Sequence, residues 1–289
     1  MEDMSAYEQI TDPIAYHAEG PVWSPAWGGL RWVDMLAGDL LTLRSDGSVE
    51  RMHVGSSVAA FVRPRTNGGY VVGIERGLAL SDAPDAPPTP LPPMWSDPGI
   101  RMNEGGCDPQ GNLYAGSMAY AKTPGAASLY RIAPSGEVET VFEHVTISNG
   151  IGFSPYTDEK GDRMAYYNDS YTKRTDVLDV VDGRLTNRRH FHDGDGGAPD
   201  GLCVDSEGNV WTALNGTGRV RLYSPTAEIL TEVHLPAHLV TACTLGGEDG
   251  RDLFVTTSRE NLKDPEPVAG SVFRVRADVP GKPVLEYAG

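Results

Sequence analysis

Four short apolar runs in this 289-residue sequence place an oxygen-bearing side chain directly before a glycine: "EGPVWSP" (Glu19-Gly20), "NEGGCDP" (Glu104-Gly105), "SNGIGFSP" (Asn149-Gly150) and "PDGLCVD" (Asp200-Gly201). One such pair is ordinary turn chemistry. Four at the same relative place in successive runs predict a ring of oxygens converging at one end of the fold. Carboxylate and amide oxygens without paired His or Cys suit a hard divalent cation, Ca²⁺, Mg²⁺ or Mn²⁺. Three or four protein oxygens would leave coordination positions for water and substrate, the arrangement of a catalytic site. The following glycine is read as admitting a positive φ or a close backbone approach.

The elements that must position these residues follow from a repeat. A turn glycine followed by an aromatic and β-branched strand recurs six times: "GGLRWVD" from Gly28, "GGYVVGI" from Gly68, "GNLYAGS" from Gly111, "GDRMAYY" from Gly161, "GNVWTAL" from Gly208 and "GRDLFVT" from Gly250. Successive glycines are 40, 43, 50, 47 and 42 residues apart by subtraction, the span of one four-stranded propeller blade. An alternating stretch such as "DLLTLRSDGSVERMH" or "SLYRIAPSGEVETVF" after the repeat copy supplies an outer hairpin. The spacing therefore predicts an all-β, six-bladed β-propeller forming a single domain over 1–289, its two ends sharing the last blade. In the second copy, "APDAPPTPLPPMWSDPG" is too rich in proline for a regular strand and is expected as an extended loop.

Bulk properties narrow the function. A 39% hydrophobic content with 34 glycines and 22 prolines fits a turn-rich fold better than a helical bundle. The net charge of −16, with no basic stripe, argues against nucleic acid. Three widely spaced cysteines, Cys107, Cys203 and Cys243, make neither a disulfide framework nor a zinc site and read as small core residues. The start "MEDMSAYEQITDP" has no signal-peptide character and no run is long enough to span a bilayer, so a cytoplasmic protein without membrane association is expected. No GxSxG elbow is present to support a serine hydrolase.

Five segments together resemble the senescence marker protein, gluconolactonase and luciferin-regenerating enzyme family of six-bladed propellers: "AEGPVW" at 18–23, "RMNEGGCDPQGNLYAGSM" at 101–118, "SNGIGFSP" at 148–155, "YYNDS" at 166–170 and "PDGLCVDSEGNVW" at 199–211. The resemblance covers nearly the whole chain. It implies metal ligands at Glu19, Asn149 and Asp200, a proton-transfer role for Asp200, and substrate contacts from Arg101 and Asn103. Where many members have Asn-Asp-Gly, this chain has Asn103-Glu104-Gly105, one methylene longer, and Glu104 is taken as a further substrate contact. After "GSM", where sugar-lactone members often carry acids, this chain reads "AYAKTPG". Tyr120 there offers a hydrogen bond and an apolar face, which together with Ala121 weakens the case for a polyhydroxylated lactone.

Asn168 and Asp169 in "YYNDS" are secondary candidates that either face the site or cap a turn. In "RRHFHDGDGG", His192, Asp193 and Asp195 are expected in a loop over the site, and the role of His17 stays open. The reading is a metal-dependent hydrolase that opens a lactone, using one divalent ion, calcium first and Zn²⁺, Mg²⁺ or Mn²⁺ as alternatives. The metal polarises the carbonyl and Asp200 manages the proton of the attacking water. The expected partner is a small-molecule lactone or ester, and the protein a monomer or small homo-oligomer. Other activated esters such as phosphotriesters, a specialised biosynthetic or catabolic step on a small cyclic substrate, and a non-catalytic calcium-binding propeller are the alternatives.

Overall fold

The lead glycines of the repeat do the work the sequence asks of them. Gly28, Gly68, Gly111, Gly208 and Gly250 all have φ between 72° and 90°, left-handed values that cost other residues about 1 kcal/mol or more. The computed structural model describes residues 2–3, 7–157 and 163–289. Gly161, which leads the fourth copy, lies outside the described residues. After each described turn the chain enters the second strand of a sheet.

The chain is a six-bladed β-propeller with four-stranded antiparallel blades. The only helical elements among the described residues are three 3-10 turns. The strands fall into two compact units, Ala15–Ser148 with Val284–Gly289, and Met1–Ile14 with Asn149–Pro283.

In the first of these units, sheet one runs Ala18–Ser24, Gly29–Asp34, Asp39–Leu43 and Val49–His53, and sheet two Ala59–Pro64, Tyr70–Ile74, Gly77–Ser81 and Thr89–Pro90. Sheet three runs Ile100–Cys107, Leu113–Ala119, Ala127–Ile132 and Val138–Val145. The proline-rich segment differs from expectation, because Thr89 and Pro90 pair with Leu80 and Ala79 as a short outer strand. Proline is tolerated there because an edge strand can leave one side of its ladder unmade. Phe61, Tyr70, Val33, Met102 and Leu113 are fully buried in the core of this unit. The C-terminal residues join it: Tyr287 is buried, its N–H donates to the Pro64 carbonyl at 2.8 Å and its hydroxyl to the Ala133 carbonyl at 3.0 Å.

In the other unit, apart from the leading Ser148, sheet four runs Ser148–Thr157, Arg163–Asp169, Arg174–Val181 and Arg184–Asp193, and sheet five Ala198–Val204, Val210–Asn215, Arg219–Tyr223 and Ile229–His234. Glu2–Asp3 adds a short parallel strand to sheet five. Sheet six consists of Val240–Gly246, Asp252–Thr257, Val272–Arg276 and, as its outer strand, Tyr7–Gln9 from the other end of the chain. The sharing of the last blade is thus as expected. Its core holds Trp211, Val255 and Phe273, with a second cluster around Tyr166, Phe191 and Tyr223.

A polar brace closes the inner hairpin of sheets three and five. Asp205 accepts the N–H groups of Glu207 and Asn209 on Oδ1 and the Asn209 amide on Oδ2, all at 2.9 Å. Asp108 does the same with Gln110 and Asn112. These buried carboxylates are satisfied by their own turn, so "DPQGN" and "DSEGN" are structural.

Candidate active site

Asn149 and Asp200 lie at the start of the first strands of sheets four and five, and both are buried. Two side-chain relays hold them. The Ser170 hydroxyl donates to the Pro199 carbonyl at 2.6 Å, so its oxygen receives the Asn149 amide N–H at 2.7 Å. That fixes which end of the Asn149 amide is nitrogen and turns Oδ1, a hard donor, to the opposite side. Likewise Thr175 donates its hydroxyl to Asn168 Oδ1 at 2.7 Å, which leaves Asn168 Nδ2 to donate to the Asp200 carbonyl at 2.6 Å. The Asp200 carboxylate accepts the Asn215 amide on Oδ2 at 2.9 Å.

Asn168 is therefore a support beneath Asp200, and Asp169 caps the turn at Ser170–Thr172 by accepting the Tyr171 N–H. Ser170, Thr175 and Asn215 went unrecognised in the sequence. Ser170 closes the quoted "YYNDS", but nothing in one chain of letters shows which way its hydroxyl points.

In the other unit, Glu19 is buried on the first strand of sheet one, with Oε2 accepting the Gly20 N–H at 3.2 Å. His17 Nε2 is 3.9 Å from Glu19 Oε1. Burial, with the nearby charges of Arg101 and Lys122, pushes the His17 imidazole down to about 3, so it is neutral at ordinary pH. Arg101 and Asn103 are brought together: Arg101 Nη1 donates to Asn103 Oδ1 at 2.7 Å and to the Met102 carbonyl at 2.9 Å. Asn103 Nδ2 donates to the Ser148 carbonyl at 2.8 Å. The Arg101 guanidinium sits over the Tyr120 ring, 5.8 Å from its centroid. Tyr120 in turn donates its hydroxyl to Glu75 Oε1 at 2.8 Å, a partner the sequence did not disclose. Burial and the Glu75 carboxylate push the Tyr120 phenol up to about 12, so it stays protonated.

Glu104 differs from its expected register. Asn103 lies five residues before Asp108 of its brace, as Asp200 lies five before Asp205, whereas Glu104 lies four before. The ladders agree: the first strand bulges between Pro199 and Leu202 in sheet five and between Met102 and Glu104 in sheet three. Sheet one bulges between Glu19 and Val22. A bulge sets two residues against one and re-aims the side chain it contains. The register partner of Asp200 in sheet three is therefore Asn103. Glu104, past the bulge, pairs with Arg63 at 3.0 Å and accepts the Gly105 N–H at 2.8 Å.

The glycines next to these residues act by close approach, and only Gly20 among the four has a positive φ, 53°. A Cβ on Gly150 would stand 2.7 Å from the Leu202 nitrogen, and one on Gly201 2.3 Å from Ala242 Cβ.

The loop candidates are engaged elsewhere. Asp195 pairs with Arg221, Asp193 with His190, and His192 is buried with its ring stacked 3.6 Å from Tyr223. Cys203 and Cys243 lie with their sulfurs 3.9 Å apart. That pairing and burial hold the Cys203 thiol well above its ordinary range, and burial pushes Cys107 up to about 12. As expected, all three cysteines pack in or against the hydrophobic cores. Among the described residues no group of three or more His, Cys, Asp and Glu forms a metal cluster. The proposed set contains two acids and an amide. No helix among the described residues is long and apolar enough to cross a membrane.

Residues 17–259 match the SMP-30/Gluconolactonase/LRE-like region. The chain belongs to this family. Within it, a 6-deoxy-6-sulfogluconolactonase of Pseudomonas putida is 35% identical over 284 residues, 94% of each chain. A regucalcin of Oryctolagus cuniculus is 34% identical over 289 residues, also 94% of each. Among solved structures, a calcium-binding protein, regucalcin, of Agrobacterium tumefaciens aligns with a TM-score of 0.89 and 26% identity over 99% of both chains. Membership in the SMP-30/gluconolactonase family thus rests on sequence over most of the chain as well as on fold.

Proposed function

We propose that the protein is a metal-dependent hydrolase that opens a lactone of a small molecule. Glu19, Asn149 and Asp200 would hold one divalent cation, with calcium the first choice. Two carboxylates and an amide oxygen are the donor set that hard cations prefer, and the Ser170 relay, which holds the Asn149 amide by its nitrogen, supports Oδ1 as the ligand atom. That relay is the observation that carries the reading: unlike the Asn112 and Asn209 amides, which donate to carboxylates of their own turns, the Asn149 amide is held by a hydroxyl that also binds the residue before Asp200. A lactonase among the relatives supports the substrate class.

When bound, the cation supplies Lewis-acid polarisation of the lactone carbonyl. The chain supplies the rest. Asp200, steadied by Asn215 on its carboxylate and by Asn168 on its carbonyl, accepts a proton from the attacking water and later returns it to the ring oxygen that leaves. Arg101 and Asn103, locked to each other, orient the substrate. Calcium binding without turnover is the second reading, supported by the description of the Agrobacterium relative as a calcium-binding protein.

The test is a lactone panel assayed after chelation and after return of Ca²⁺, Zn²⁺, Mg²⁺ or Mn²⁺ singly, for the wild type and Asp200→Asn. Activity restored by an ion and reduced about 10²–10⁴-fold in the variant is expected. Near-normal lactonase activity in folded Asp200→Asn, or full activity after chelation, overturns the mechanism. Ion binding without hydrolysis of any lactone selects the second reading.

A further inference from the structure

Glu75 lies in the tight hairpin between Tyr70–Ile74 and Gly77–Ser81, where nothing in the sequence marks it as functional. Its backbone is pinned on both sides: the N–H donates to Ser56 Oγ at 3.2 Å, and the carbonyl accepts the Met102 N–H at 2.8 Å. That second bond ties it to the strand carrying Arg101 and Asn103. Its carboxylate takes the Tyr120 hydroxyl on Oε1 at 2.8 Å, while Oε2 has a loose partner, Arg76 Nε at 3.7 Å.

Asn103, Arg101, Tyr120 and Glu75 thus form one connected series, running from side chains that are almost fully buried to a Tyr120 that is 45% exposed and a Glu75 side chain that is 31% exposed. A carboxylate offers about four acceptor positions, and Tyr120 uses one. The phenol spends its only proton on Glu75, so Tyr120 has none to give a ligand. What the outer end of the series presents is a fixed anionic acceptor beside an arginine.

We propose that Glu75 is a substrate-binding residue that accepts hydrogen bonds from ring hydroxyls, so that the lactone opened by this protein is a hydroxylated one. The proposal rests on the lactonase reading above. Tyr120 is the positioning residue, holding the Glu75 carboxylate in place through its hydroxyl and stacking on Arg101. The absence of an acid at 120–121 is in this way compensated from another sheet.

The experiment compares D-glucono-δ-lactone with δ-valerolactone, which has no hydroxyls, in the wild type, Glu75→Gln and Tyr120→Phe. The ratio of kcat/KM for the two lactones is expected to fall about tenfold in Glu75→Gln, the effect of losing a hydrogen bond to a charged group. The loss should appear in KM for the hydroxylated lactone far more than in kcat. Tyr120→Phe should lower the same ratio by less. An unchanged ratio in Glu75→Gln, or equal losses on both lactones, overturns the proposal. If the wild type opens neither lactone, the lactonase reading has failed by itself. Calorimetric titration with D-gluconate then decides: about tenfold weaker binding to Glu75→Gln supports the hydroxyl contact, and equal affinity or no binding to the wild type overturns it.

Discussion

Ser170 gives its hydroxyl proton to the Pro199 carbonyl at 2.6 Å and receives the Asn149 amide at 2.7 Å. One side chain thereby ties together the residues before and at the two proposed ligand positions of sheets four and five. A metal site depends on such supports, because a ligand free to rotate pays orientation entropy on binding and can offer the wrong atom.

The first prediction follows from that bond. Ser170→Ala removes the hydroxyl that accepts the Asn149 amide and is expected to weaken divalent-ion binding about 10–100-fold, the usual cost of losing an outer support. Calcium titration by calorimetry measures this directly. Asn149→Asp in the Ser170→Ala background makes both ends of the side chain oxygen and should recover part of the loss. Unchanged affinity in Ser170→Ala would show that the relay does not serve ion binding.

The overall architecture was legible in the sequence because propeller blades repeat their turn chemistry. Gly28, Gly68, Gly111, Gly208 and Gly250 adopt backbone conformations that nearly every other residue avoids, so their spacing marks the blades. Glu19, Asn149, Asp200, Arg101 and Asn103 can be named as candidates from the sequence, and of these Arg101 and Asn103 do meet. Glu104 shows where such reading fails. Matching Xaa-Gly pairs assumes that the glycine holds one place in every blade, but counted back from Asp108 and Asp205 it is Glu104 itself that stands where sheet five has Gly201. Asn215, Ser170 and Glu75 were invisible for a different reason: they act on Asp200, Asn149 and Tyr120 across 15, 21 and 45 residues of chain, and no local pattern encodes such a contact.

A second prediction concerns packing beside Asp200. A Cβ at residue 201 would stand 2.3 Å from Ala242 Cβ and 2.7 Å from Ala242 Cα, so the obstacle includes backbone. Gly201→Ala is expected to cost about 3 kcal/mol by overpacking, read from urea unfolding. Adding Ala242→Gly should return much of it, a coupling that a double-mutant cycle reports. Gly136→Ala is a useful contrast, since a Cβ there meets nothing within 4 Å while φ is 87°. Its cost should be about 1 kcal/mol, of conformational origin, and Ala242→Gly should leave it unaltered.

The last prediction concerns acid stability and turns on His192. Its ring stacks on Tyr223, Nδ1 lies 3.1 Å from the Asp193 carbonyl, and Nε2 lies 3.4 Å from Thr212 Oγ1. Burial foremost, with the charges of Arg221 and His190 adding to it against the pull of Asp193, lowers its pKa from 6.5 to about 4. In the unfolded chain the imidazole returns to about 6.5. Above that pH it is neutral in both states and adds no pH dependence. As pH falls from about 6.5 towards 4 the unfolded state binds the proton first, so stability is lost over that window, by up to about 3 kcal/mol for a shift of this size. Below about 4 both states are protonated and the loss from this group levels off. Urea unfolding at several pH values across the window should show the slope, and His192→Phe, which keeps an aromatic ring on Tyr223 but cannot titrate, should flatten it. An identical slope in His192→Phe would assign the acid sensitivity to other groups.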